Sequence, residues 1–481
     1  MAEHSVSQGE SPRLCGLVRT GGEMKSLCAL TSAGLCRSGG TARFFLFSVL
    51  PVLTRGALCG VAVGAVVTVF NRLLTLAADF AVMTAAAARS EEWRSALYIL
   101  GLFALGVFMH FFLKAFPEGR GSGIPRTESV ARGRGNASWW RLAFSTVVGS
   151  TLSFFAGLSV GAEGPSVQLG GGIGEGIEDA GDSVLRKRGR RPVMSAGIAA
   201  GIACAFVAPL SGILFATEEV QHRFKPVFVA TAALAVLYAY AVRTALGGVL
   251  GMNEVFIAAE GVGTIGVGFL WTAVVAGIFA ALAAKLFGEA VLALDAFSRR
   301  SPIPRVVLTV GLFVLTGIVG LFASDALGSG ANIISGIIVG DFGWRRLAVL
   351  LVLKIVLVLM VFRAAPTGGM MVPMLAIGAM LGALIGFVCM NAGLPAECVP
   401  ALALVTMAAF FGSCIKAPFT VLVMFLETTL LFENFAAAAV AVCVSYAAGI
   451  LLGQRSMYDV IQERDRRAVS APVYKRGGVG I

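Results

Sequence analysis

Apolar runs separated by short polar and often basic segments occupy the chain from about residue 44 to about 462. The runs lie near 44–70, 97–116, 142–158, 193–217, 226–250, 264–286, 306–323, 346–363, 371–391, 400–426 and 434–453. A helix that crosses a bilayer needs about 20 mostly apolar residues, so the pattern predicts an all-α polytopic membrane protein. Several runs are short, and others, such as 158–176, are interrupted by glycine and proline. Membranes tolerate broken backbone only where it is buried in protein or lines an aqueous cavity. Tilted and half-crossing helices are therefore expected rather than a simple bundle.

A spacing of glycine and proline recurs within this pattern. Gly161, Pro165, Gly170 and Gly174 are answered by Gly369, Pro373, Gly378 and Gly382, each 208 positions later. Gly121-Ser122-Gly123 is answered by Gly328-Ser329-Gly330 at an offset of 207, and Ala208-Pro209 with Glu218 by Ala417-Pro418 with Glu427 at 209. Three blocks in one order imply two related halves, 44–250 and 251–462, between a polar tail at 1–43 and a basic tail at 463–481. Internal duplication in an apolar chain marks secondary transporters, whose sites form near the midplane where helices of both halves are broken. The glycines four apart suit close helix packing in lipid better than a nucleotide loop.

Composition narrows the classes further. Hydrophobic residues make up 57% and charged residues 14%, with a mean hydropathy of +0.86, far from a soluble domain. The net charge of +11 comes from inter-span segments (Arg120 to Arg134, Arg186 to Arg191, Arg299 to Arg305) and from Arg464 to Arg476. Positive-inside bias accounts for these, so a lipid bilayer and no nucleic acid is the expected partner. The nine cysteines form no Cys-x-x-Cys pair and read as small core residues. His4, His110 and His222 stand far apart, and neither a zinc pattern nor a phosphate loop is present. No enzyme activity, cofactor or metal is expected. The first 43 residues lack a signal-peptide pattern and read as a disordered tail, with Met24 an alternative start.

Candidate chemistry gathers at the repeated blocks. Gly121, Gly123, Pro125, Gly161, Gly164, Pro165, Gly369 and Pro373 read as helix-start residues, proline favouring the first turn and glycine the bend before it. Unpaired N–H groups and the positive end of the helix dipole face outward there and attract anions. Three such ends converging make an anion site. Only the first half carries a carboxylate inside the pattern, Glu163, where its repeat counterpart is Met371. A charged side chain at the membrane centre costs about 2.5–3.5 kcal/mol on insertion scales, and ionisable residues there usually mark a pathway. Its carboxylate can occupy the field that holds a small anion, so anion and proton would compete.

Gly-Ser-Gly-Ile-Pro at 121–125, Gly-Ala-Glu-Gly-Pro at 161–165, Gly-Met-Met-Val-Pro at 369–373 and Tyr458 together carry a resemblance: the chain is similar to the CLC family of chloride channels and chloride/proton antiporters. The resemblance implies two inverted-topology repeats of tilted, broken helices meeting at a midplane anion site. It also implies a homodimer with one pathway per subunit, here in a bacterial inner membrane.

Position by position, Glu163 resembles the family's gating glutamate, Ser122 and Tyr458 its anion-contacting hydroxyls, and the amides of Met370 and Met371 the remainder of the chloride site. Glu219 resembles the glutamate that relays protons in antiporters, with Glu218 assisting. Both end an apolar run and are expected at a membrane surface. Ala162 stands where a basic residue commonly precedes the gating glutamate, and Met371 where phenylalanine is common. Ser122 favours chloride over nitrate or fluoride by the same resemblance. The expected function is exchange of chloride for protons, with a passive chloride channel as the alternative. A membrane enzyme or receptor using the broken helices as a pocket is the reading from another class.

Overall fold

The computed structural model describes residues 49–132, 138–180, 191–221, 225–300, 303–461 and 463. The expected tail at 1–43, His4, His222, and most of the basic segments at 186–191 and 464–476 lie outside the described residues. The chain divides at Val52 into two units, and the site belongs to the unit from Leu53 onward.

Among the described residues, nine helices are long and apolar enough to cross a membrane. The first half contains α1 (Leu50–Ala88), α2 (Glu92–Ala115), α3 (Ile124–Ala131), α4 (Trp139–Phe155), α5 (Glu163–Asp179), α6 (Pro192–Phe206), α7 (Pro209–Phe215) and α8 (Pro226–Val249). The second half repeats the order with α9 (Leu270–Arg300), α10 (Arg305–Phe322), α11 (Ala331–Val339), α12 (Trp344–Ala364), α13 (Met371–Met390), α14 (Val399–Ile415), α15 (Pro418–Thr429) and α16 (Phe435–Leu451).

Two expected spans are corrected. The run 193–217 is broken between α6 and α7, and the run 400–426 between α14 and α15. In each, one residue takes a left-handed conformation, Val207 (φ 55°) and Lys416 (φ 62°), and an Ala-Pro pair follows. A residue before proline is pushed out of the helical region and proline has no N–H to donate; Ala208 (φ −130°) and Ala417 (φ −118°) are accordingly non-helical. Hydrophobicity alone misses such a break because both sides are equally apolar. The first helix is also longer than its expected span, continuing to Ala88.

The halves are related by a local two-fold that the backbone records directly. Gly161 N–H donates to Gly369 O (2.8 Å) and Gly369 N–H to Gly161 O (2.7 Å), an antiparallel bridge between equivalent residues. Gly121 N–H donates to Ala365 O, and its counterpart Gly328 N–H donates to Gly157 O, the counterpart of Ala365. Only a two-fold exchange of the halves reproduces each contact in reverse.

The repeated glycines pack helices. A Cβ on Gly170 of α5 would lie 2.2 Å from Gly197 O of α6, and one on Gly197 2.1 Å from Gly170 O. In the second half, Gly382 of α13 would meet Thr406 and Ala403 of α14 at 2.5 and 2.8 Å. Small residues at these positions let the backbones touch. Of the described cysteines, Cys59, Cys204, Cys389, Cys398 and Cys414 are buried and unpaired, in keeping with their reading as core residues, while Cys443 is exposed.

Candidate functional site

Three helix starts meet where the halves touch. Gly123 caps α3 at φ 74°, a conformation that favours glycine, with Pro125 in its first turn. Glu163 opens α5, with Pro165 in the same turn. Met371 opens α13 after the N-cap residue Met370, with Pro373 in that turn. The approach is tight: a Cβ on Gly164 would stand 2.2 Å from Ser122 O and 2.9 Å from Gly369 Cα.

The Glu163 side chain crosses from its own helix to the start of α13. Its Oε1 accepts from Met371 N–H at 2.5 Å and Val372 N–H at 3.3 Å, filling donors that a helix leaves open. Glycine is required on both sides of the carboxylate, because a Cβ on Gly161 or Gly369 would lie 2.0 or 2.3 Å from its oxygens. Glu163 is 1% exposed, and its Oε2 has no hydrogen-bond partner among the described residues. The hydroxyls of Ser122 and Tyr458 are likewise buried without a partner among the described residues. Buried polar groups are normally satisfied, so these two hydroxyls and the half-bonded carboxylate leave hydrogen-bonding capacity open. Tyr458 lies within electrostatic reach of Glu163, Glu219 and Glu128.

Glu218 and Glu219 part company. They sit on a π-helical turn, Ala216–Gln221, that continues α7. Glu218 points across the halves to the start of α15, where Thr420 N–H (2.8 Å) and Oγ1 (2.6 Å) donate to its Oε2. Glu219 is buried rather than solvated and faces Glu128, Asp459 and Arg132. Neither is a simple solvated span end.

Sequence reasoning missed Val372, Glu128 and Arg132. Val372 follows from geometry, since the second N–H of a helix points the same way as the first. Glu128 and Arg132 had a readable signal, an acid and a base four apart on one helix, and they do form an ion pair. Met370 serves as N-cap residue, and the bonds to Glu163 come from the two residues after it.

The family described as voltage gated chloride channel matches residues 100–449. The H(+)/Cl(-) exchange transporter ClcA of Klebsiella pneumoniae subsp. pneumoniae is 31% identical over 394 residues, covering 77% of this chain and 79% of that protein. Among solved structures, a slow cyanobacterial Cl-/H+ antiporter superposes with a TM-score of 0.78 at 23% identity, over 86% of this chain and 97% of that one. A CLC-type fluoride/proton antiporter does so with a TM-score of 0.69 at 23% identity, over 85% and 97%. These structures share the all-helical fold of inverted repeats. With the family pattern running through most of both halves, the chain belongs to the voltage gated chloride channel family.

Proposed function

We propose that the chain exchanges chloride for protons across a bacterial inner membrane, as a homodimer embedded in lipid, with Glu163 competing against chloride for one anion site. The observation that carries this is the Glu163 carboxylate seated on the amides of Met371 and Val372, beside the unpartnered hydroxyls of Ser122 and Tyr458. A carboxylate and a chloride ask for the same donors. Charge-assisted hydrogen bonds are roughly twice as strong as neutral ones, so protonation of Glu163 weakens its hold on the amides, and an anion can replace it. When the anion leaves, the carboxylate gives up its proton and returns.

Chloride is held by the α13 amides, the field of the α3 and α5 starts, and the two hydroxyls. Glu219 receives protons from the opposite side, buried among Glu128, Asp459 and Arg132. Tyr458 is within electrostatic reach of both acids, which supports proton and chloride routes that run close together on either side of one side chain. The glutamate pair is what an exchanger requires and a passive pore does not.

Purified protein in liposomes under voltage control tests the reading. An imposed chloride gradient should drive protons uphill. Chloride flux without proton movement makes the chain a passive channel, and the absence of both fluxes removes the chloride assignment.

A further inference from the structure

Helix α3 joins the two ends of this site. Its N-terminus follows Ser122 and Gly123 at the anion cradle, and Arg132 closes its C-terminus by donating its backbone N–H to Glu128 O. From there the Arg132 side chain reaches the π-helical turn that carries Glu219. Its Nη2 donates to Glu219 O at 2.5 Å and its Nε to Val220 O at 2.7 Å, while Nη2 also pairs with the Glu128 carboxylate. Glu128 is 2% exposed.

A π turn widens the hydrogen-bond ring, and such turns recur at functional sites. Two successive carbonyls taken by one guanidinium hold the turn in a fixed orientation, because the planar fork presents donors at set angles. A lysine in its place offers only a point charge.

We propose that Arg132 is a positioning residue for the proton route: by clamping the carbonyls of Glu219 and Val220 it fixes the direction of the Glu219 side chain, and through α3 it ties that turn to the anion cradle at Ser122. The inference rests on the reading of Glu219 as the proton relay. Glu128 supplies the counter-charge that lets the guanidinium lie beneath the surface.

The test compares the full-length protein with Arg132→Gln, Arg132→Gln/Glu128→Gln and Glu219→Gln in liposomes, measuring chloride and proton flux under one chloride gradient. Losing a charge-assisted clamp should lower the protons moved per chloride by about tenfold in both Arg132 variants, with chloride flux within about twofold of the parent. The double variant removes the Glu128 carboxylate that Arg132→Gln leaves without its guanidinium, so recovered coupling there would make the single variant's defect one of charge at Glu128 and overturn the positioning role. Coupling near the parent value in Arg132→Gln, or a parallel fall of both fluxes, would overturn it too. Should neither variant fold, as judged by a monodisperse elution in detergent, Arg132→Lys decides, because full coupling with a point charge removes the need for the fork. Glu219→Gln separates the two readings: uphill proton movement in that variant defeats the relay itself, whereas its loss together with intact coupling in Arg132→Gln defeats only the clamp.

Discussion

Glu218 and Glu427 cap each other's halves. Glu218 accepts from Thr420 N–H and Oγ1 at the start of α15. Glu427, 209 positions on, accepts from Ser211 N–H (2.7 Å) and Oγ (2.6 Å), and from Leu210 N–H (2.8 Å), at the start of α7. Ser211 and Thr420 are themselves repeat counterparts, so one contact is made twice around the two-fold. Each carboxylate sits on the positive end of a helix from the other half, where a negative charge is stabilising.

This pairing predicts a stability role for both acids. Replacing a capping side chain costs about 0.5–2 kcal/mol, so Glu427→Ala should lower the unfolding temperature in detergent while leaving the ratio of protons to chloride intact. A changed ratio with unaltered unfolding would assign Glu427 to transport instead. The same measurement on Glu218→Ala decides between capping and assistance to Glu219.

Glu163→Gln presents the neutral side chain permanently. If Glu163 is the proton-sensing gate of the proposed exchange, proton coupling should vanish, and chloride flux should continue and lose its dependence on pH, because the residue no longer titrates. Flux assays between acid and neutral pH check this, and continued uphill proton movement in the variant would remove Glu163 from the gate.

Glu219→Val should abolish proton flux and leave chloride flux. Loss of both fluxes in protein that elutes as the parent does would instead make Glu219 a structural residue.

The glycine contacts predict a steep response to a single methyl group. Gly164→Ala places a carbon 2.2 Å from Ser122 O, and overpacking of this kind costs typically about 1–3 kcal/mol. The three helix starts must then separate. Chloride binding by calorimetry should fall below detection, whereas Gly101→Ala, with no atom within 4 Å of the added carbon, should bind as the parent does.

Much of the fold and the site was legible in the chain. The offsets near 208 identified the halves because a two-fold requires equivalent turns at equivalent positions, and Gly123, Gly164 and Gly369 stood out as glycines just before or within the helix starts that carry a proline. Glu163 stood out as an acid amid apolar residues whose repeat counterpart is Met371. The contacts that cross between halves were less visible: that Glu218 faces Thr420, and that Arg132 reaches the carbonyls of Glu219 and Val220, depends on how distant segments pack. The breaks at Val207 and Lys416 were hidden as well, since a left-handed residue leaves no mark on hydropathy and only the Ala-Pro pairs beside them hinted at a corner.

The bridge between Gly161 and Gly369 bears on how the proposed exchange would work in this chain. Two reciprocal backbone bonds rivet the starts of α5 and α13 at the axis itself, so swinging one half against the other would tear apart the cradle in the act of opening it. On the exchange proposed above, access to the two sides of the membrane then falls to the smallest available moving part, the Glu163 carboxylate arm set against this joined backbone.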